Sequence, residues 1–192
     1  MPFAVDDPAI SRLRLVDAAD SAWRDSYVEA LREGSQGGGE PRPSPEAIAL
    51  AERDPDQFFA TLVRQTGLTA TPAGPTERVP GPLLWLVDGT CFIGALSIRT
   101  RLATPFLATY AGHVGYGARP SLYGRGYAKT MLRRGLTICA GLGLDEVLLT
   151  ALSHNLASRR VIEANDGRLI DEIDYPYLTK PAQMARYRVK TV

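Results

Sequence analysis

The sequence predicts an α/β (α+β) domain with one mixed, mainly antiparallel sheet and helices on both faces. Three observations predict it. Apolar runs at 83–87 and 91–98 flank the turn dipeptide Asp88-Gly89 and read as a hairpin. Residues 112–143 read as a strand, a glycine-containing turn and a helix, with Ala128, Met131, Leu132, Gly135, Leu136 and Cys139 on one face at helical spacing. A second strand-like run, 146–152, follows that helix, so 112–119 and 146–152 are expected as parallel neighbours joined by a crossover.

At 192 residues and 45% hydrophobic, the chain carries one good core and is short for two domains. Residues 1–10 read as an N-terminal arm and 11–192 as a single domain. Residues 11–16 alternate polar and apolar and form a first strand, with Leu13 and Leu15 inward. A helix is expected over 17–33, where Ala19, Trp23, Tyr27, Ala30 and Leu31 recur at helical spacing behind an Asp-rich start. The stretch 34–45, with three consecutive glycines and three prolines, is either a flexible loop or an ordered lid. Pro45 opens a helix through Arg53, and a second helical segment, 55–66, carries Phe58, Phe59, Leu62 and Val63. Residues 68–82, rich in Thr, Pro and Gly, read as another long loop. The hairpin follows, then strands at 112–119, 146–152, 167–173 and 182–189, with helices at 126–142 and 156–165.

The turn before the 126–142 helix is the first chemical feature. Pro120 stops the preceding strand, and the helix presents unpaired N–H groups and its positive dipole end to whatever sits in front, a fit for phosphate. Many such turns only reverse the chain. After the next strand come Asn155 and Ser158, which serve either as ligand contacts or as helix-start residues satisfying orphan N–H groups.

These residues resemble the GNAT acyltransferase superfamily. YGRGYA at 123–128 matches its pyrophosphate loop, Gln/Arg-x-x-Gly-x-Gly/Ala, with Tyr123 departing from the first position. The resemblance spans about 83–189 and is strongest at 112–167, where GHVGY, RPS, GRGYA and N-x-A-S-x-x-V-I-E-x-N-x-G occur in order. It implies transfer of an acetyl or related acyl group from acetyl-CoA to a primary amine, with no metal. It places the pyrophosphate on the N–H groups of Gly124, Arg125, Gly126, Tyr127, Ala128 and Lys129. The pantetheine then lies beside Tyr116, Gly117, Ala118 and Asn155, with Ser158 close by. Arg125 and Lys129 are near enough to the turn to meet a phosphate.

His113 stands where many family members carry a glutamate that removes the amine proton, so it is the base candidate beside a plain packing role. His113, Gly115 and Gly117 share one strand face, and the two glycines leave open backbone either for a ligand or for close packing. The family's tyrosine that protonates the departing thiolate corresponds to Ile162, so Tyr110, Tyr116 or Ser158 must substitute. The acceptor pocket is expected from Trp23, Tyr27, the 55–66 helix and the two long loops. The acceptor itself is an amine-bearing small molecule, peptide or protein.

Composition narrows the remaining classes. Lys+Arg 22 against Asp+Glu 21 gives net +1, which argues against a nucleic acid or an anionic membrane as partner and disfavours a highly basic tail as substrate. Cys91 and Cys139 stand apart without a C-x-x-C, and with two histidines no zinc or iron site is expected. No window approaches the ~20 apolar residues of a membrane span, and a reducing cytoplasm suits the thiols. A homodimer stays open. Residues 123–130 echo a phosphate-binding G-x-x-x-x-G-K-T, but both glycines that motif requires are missing. The serious alternative is a domain of this fold that holds acyl-CoA or a protein without turnover.

Overall fold

A computed structural model describes residues 12–18, 20–36, 43–64 and 66–192. The arm expected at 1–10, Ala19 and residues 37–42 of the first loop lie outside the described residues.

Strand β1 (Leu13–Asp17) opens the fold, and the Asp20 carboxylate then accepts from Ala22 N–H to start a short turn of 3-10 helix at Ser21–Trp23. Helix α1 (Arg24–Arg32) follows, so the helix expected from 17 begins later, because Asp20 caps the turn ahead of it. Helices α2 (Pro45–Arg53) and α3 (Pro55–Leu62) each have proline at the first position, with the Ser44 hydroxyl and the Asp54 carboxylate as caps. The stretch 68–82, read as an irregular loop, holds a two-stranded hairpin, β2 (Leu68–Thr69) with β3 (Thr76–Glu77). Its turn is closed by Thr71, whose Oγ1 donates to Gly74 O at 2.5 Å. Two-residue strands held by threonine turn chemistry have no hydrophobic period, so the sequence pattern passed over them.

Strands β4 (Leu83–Asp88), β5 (Cys91–Ile98) and β6 (Val114–Ala118) complete a four-stranded antiparallel sheet in the order β1-β4-β5-β6. Helix α4 (Tyr127–Gly141) leads to β7 (Glu146–Leu152), helix α5 (Leu156–Glu163), β8 (Arg168–Asp174) and β9 (Gln183–Lys190). The last three strands form a second antiparallel sheet, β7-β9-β8.

Buried residues of the four-stranded sheet alternate between two helical layers, as strand geometry requires. Trp85 goes one way, into a cluster with Trp23, Tyr27, Leu31 and Phe59 of the N-terminal helices. Leu86 goes the other, into a cluster with Met131, Leu132, Leu136 and Cys139 of α4 and Ile162 of α5. Leu13 is buried in that second cluster and Leu15 packs against it. Burial there pushes the Cys139 thiol up to about 11, so it behaves as an apolar filler.

The expected neighbours β6 and β7 do meet, but as the edges of two sheets and not as a continuous ladder. His113 N–H donates to Leu148 O at 2.8 Å, just before β6 begins, and no ladder follows. The two edges therefore part with main-chain groups facing the gap between them.

Candidate active site

The gap opens into a cleft of about 810 Å³ whose lining includes Val114, Gly115 and Tyr116 of β6, Thr150 to Leu152 of β7, and Asn155 and Ser158 of α5. On the far side it is walled by Phe58 and Leu62 of α3 and by the β2–β3 hairpin. The expectation that α3 walls the pocket is met by these two residues, whereas Phe59 is buried in the core. Trp23 and Tyr27, expected as pocket residues, do not line it. Trp23 Nε1 donates to Gly89 O at 2.7 Å, and Tyr27 stacks on Trp85 at 4.6 Å between ring centroids, so both build the core beneath.

Along β6 the even positions turn to the α4–α5 side. Tyr116 crosses to α5, where its hydroxyl lies 2.9 Å from Ser158 Oγ and donates to Ser158 O at 3.2 Å. Burial pushes the phenol up to about 12, with the Ser158 bond opposing it, so the proton stays on throughout the neutral range. Ile162, one turn along α5 from Ser158, is fully buried and offers no polar atom. The phenol in this region thus comes from the neighbouring strand instead of from α5.

The odd positions face the N-terminal helices. A side chain at Gly117 would meet Gln36 O at 2.4 Å, so close packing by the chain after α1 closes that glycine's face. The open row of backbone expected at Gly117 is therefore occupied, and Gln36 itself lines the cleft. Nothing in its sequence neighbourhood announced that role.

His113 stands apart from the cleft. It lines a separate depression of about 320 Å³ with Leu102, Glu146, Leu148, Ile170 and two arginines. Its Nδ1 accepts from Leu148 N–H at 2.9 Å, which engages the nitrogen a base would use. Burial and the Arg99 cation hold the ring below the usual histidine range. The base role expected for His113 finds no support in this placement: the residue ties β6 to β7 through Leu148 and lines a different depression from Tyr116 and Ser158.

The glycine turn has the geometry an anion needs. Arg119 ends β6, Pro120–Leu122 forms a 3-10 turn, and Gly124 and Gly126 take φ of +78° and +79°, the left-handed region that favours glycine. A side chain on either would meet nothing within 4 Å, so the space in front of the turn is open. The first intrahelical bond is Thr130 N–H to Gly126 O at 3.1 Å, which leaves the N–H groups of Tyr127, Ala128 and Lys129 ahead of it. Arg125 is exposed beside them. Arg134, further along α4, instead donates to Leu13 O.

Two polar side chains, Glu33 and Asn165, hold this turn in place. Arg119 pairs with Glu33 at 2.6 Å, and the Glu33 carboxylate also accepts from Ser121 N–H at 3.1 Å. Asn165, buried in the turn after α5, donates its amide to Lys129 O at 3.3 Å and Val161 O at 2.9 Å. Asn155 acts as the N-cap of α5: its Oδ1 accepts from Ser158 N–H at 3.1 Å, and its amide N–H groups make no hydrogen bond among the described residues. The cap and a ligand contact are compatible, because they use opposite ends of the amide.

A family model described as an acetyltransferase (GNAT) domain matches residues 47–168. No curated protein matches the sequence significantly. Solved structures similar to this chain include yncA from Salmonella typhimurium with its cofactor acetyl-CoA, 15% identical, covering 93% of this chain and 92% of that one with a TM-score of 0.56. The ribosomal-protein-S5-alanine acetyltransferase from Vibrio fischeri is 16% identical over 93% and 92%, with a TM-score of 0.57. A GCN5-related N-acetyltransferase from Kribbella flavida is 12% identical over 94% and 98%, with a TM-score of 0.58.

Proposed function

Because the chain belongs to the GNAT acetyltransferase family, we propose that it transfers an acetyl group from acetyl-CoA directly to a primary amine. The observation that carries this reading is the pair of sheet edges, β6 and β7, tied at His113 and Leu148 and parted beside a glycine turn at a helix N-terminus. Edge strands offer unsatisfied main-chain donors and acceptors, which suit the two amides of a pantetheine arm lying between them. The open turn suits its pyrophosphate.

In this reading acetyl-CoA supplies the thioester: the amine nitrogen bonds to the carbonyl carbon and loses a proton, and the C–S electron pair leaves with sulfur. The N–H groups of Gly124, Arg125, Gly126, Tyr127, Ala128 and Lys129 hold the pyrophosphate. The Asn155 amide and the backbone from Tyr116 to Ala118 hold the arm, and a main-chain N–H of that stretch polarises the carbonyl. Tyr116, protonated, turns its one O–H from Ser158 O to the sulfur as charge develops there, its oxygen then accepting from the Ser158 hydroxyl. The amine proton leaves through solvent in the cleft, since no histidine lines it.

The test is release of free thiol from acetyl-CoA with a panel of amines, alongside calorimetric titration of coenzyme A. Amine-dependent thiol release supports the reading. Coenzyme A binding without thiol release from any amine would assign the domain to holding acyl-CoA without turnover.

A further inference from the structure

We propose that the acceptor is a small amine that also carries an anionic group, and that Arg78, in a cleft that Arg64 also lines, is the specificity-determining cation that receives that group. The inference rests on the acyl-transfer reading and names the substrate class of the same cleft.

The charge of the lining carries the first step. Among the described residues, its ionisable cations and anions are Arg64, Arg78 and Arg99 against Glu77, an excess of positive charge facing an incoming amine. A cleft meant for a polycation would invert that balance.

Arg78 itself carries the second step. Other enclosed arginines of this protein meet carboxylates: Arg119 meets Glu33, Arg159 meets Glu172 and Arg186 meets Asp171. Arg78 enters no ion pair among the described residues, and its Nε is shut from solvent with no hydrogen-bond partner. An enclosed guanidinium nitrogen without an acceptor is costly, and protein chains seldom leave one uncompensated. Arg64 likewise has no ion-pair partner among the described residues.

The third step is that the platform is built. Arg78 N–H donates to Gly67 O at 2.9 Å, closing the base of the β2–β3 hairpin, while Thr71 closes its tip. The side chain therefore leaves a fixed main chain on the wall of the same cleft that holds Tyr116 and Ser158. A guanidinium on such a support recognises a carboxylate through two parallel N–H···O bonds, and a phosphonate by the same fork. The amine of such an acceptor is then left to point toward the thioester.

The test compares leucine and phenylalanine with their carboxamides and with the corresponding 1-aminoalkylphosphonates, in parent, Arg78→Gln and Arg78→Lys proteins, by thiol release. The parent is expected to favour an anionic member over its carboxamide by tenfold or more in kcat/KM, and the better of carboxylate and phosphonate identifies the anion. Arg78→Gln should erase that preference through KM, leaving kcat on the carboxamide and the coenzyme A affinity unchanged, while Arg78→Lys restores part of it. A parent that uses carboxamide and anion equally, or an Arg78→Gln protein of parental Tm that keeps the preference, overturns the proposal. If no amine releases thiol, the acyl-transfer reading fails by itself. Calorimetry on the coenzyme A-loaded protein then decides the subsite: Arg78-dependent binding of the anionic members supports it, and its absence overturns it.

Discussion

His113 and Leu148 are joined at two points, the His113 N–H donating to Leu148 O at 2.8 Å and the Leu148 N–H donating to His113 Nδ1 at 2.9 Å. This clamp spans the two sheets at the place where their edges begin to part. Replacing His113 by Ala leaves the Leu148 N–H without its acceptor and should cost about 1–3 kcal/mol of stability. His113→Gln, which offers an amide oxygen, should recover much of that and keep kcat within a few-fold of the parent. A kcat loss of ~10²-fold in His113→Gln that shrinks at high pH would restore the general-base role.

The same clamp sets a pH dependence. Burial lowers the His113 pKa below its value in the unfolded chain, so between the two values the unfolded state binds the extra proton. Its contribution to stability is present above the unfolded pKa, near 6.5, and is lost as pH falls through the folded pKa. The parent should therefore lose Tm below about pH 6.5 more steeply than His113→Gln, a difference that thermal unfolding in a pH series measures.

Glu33 adds a second, more acidic step. Its hydrogen bond with Arg119 comes first among the causes that lower its carboxyl to about 2, with burial opposing and Ser121 assisting. A depressed carboxylate stabilises above its unfolded pKa, near 4.3, and that gain is lost as pH falls toward the folded value. After solvent screening the pair should contribute about 1 kcal/mol. Glu33→Gln should lower Tm at pH 7 and leave it equal to the parent near pH 2. It should also weaken coenzyme A several-fold, because the Ser121 N–H it holds belongs to the turn leading into Gly124 and Gly126.

Gly126→Val puts a β-branched residue at φ +79° and fills the open space before the first turn of α4. Coenzyme A affinity should fall tenfold or more by calorimetry. Unchanged affinity would move the pyrophosphate away from this turn.

Tyr116→Phe removes the phenol that meets Ser158. We expect kcat to fall by about tenfold or more, with coenzyme A affinity close to the parent, since the ring still fills its place. With the phenol pKa near 12, the parent rate should show no Tyr116 limb below pH 10. An unchanged kcat would reduce Tyr116 to packing.

The sequence alone determined what depends on neighbours along the chain. The apolar face of α4, the Asp88-Gly89 hairpin and the alternation of β7 were legible because secondary structure follows short-range period and turn chemistry. So was the positive-φ turn at Gly124 and Gly126, which only glycine adopts freely. Asn165 and Gly167 of the N-x-G ending were legible as a signature, and packing explains it: a side chain at Gly167 would meet Ile162 Cγ2 at 2.4 Å.

The tertiary structure decided which of these pieces face one another. Two edge strands that meet at a single residue pair look, in sequence, the same as two strands in a ladder. A histidine before β6 reads equally as base or clamp until Leu148, 35 positions away, is seen on its Nδ1. Gln36 against Gly117, Tyr116 against Ser158, and Arg78 with no ion pair among the described residues are all products of packing between distant segments. Local propensity carries no record of them, because the free energy that sets such contacts comes from burial and hydrogen bonding between parts of the chain that are separated in sequence.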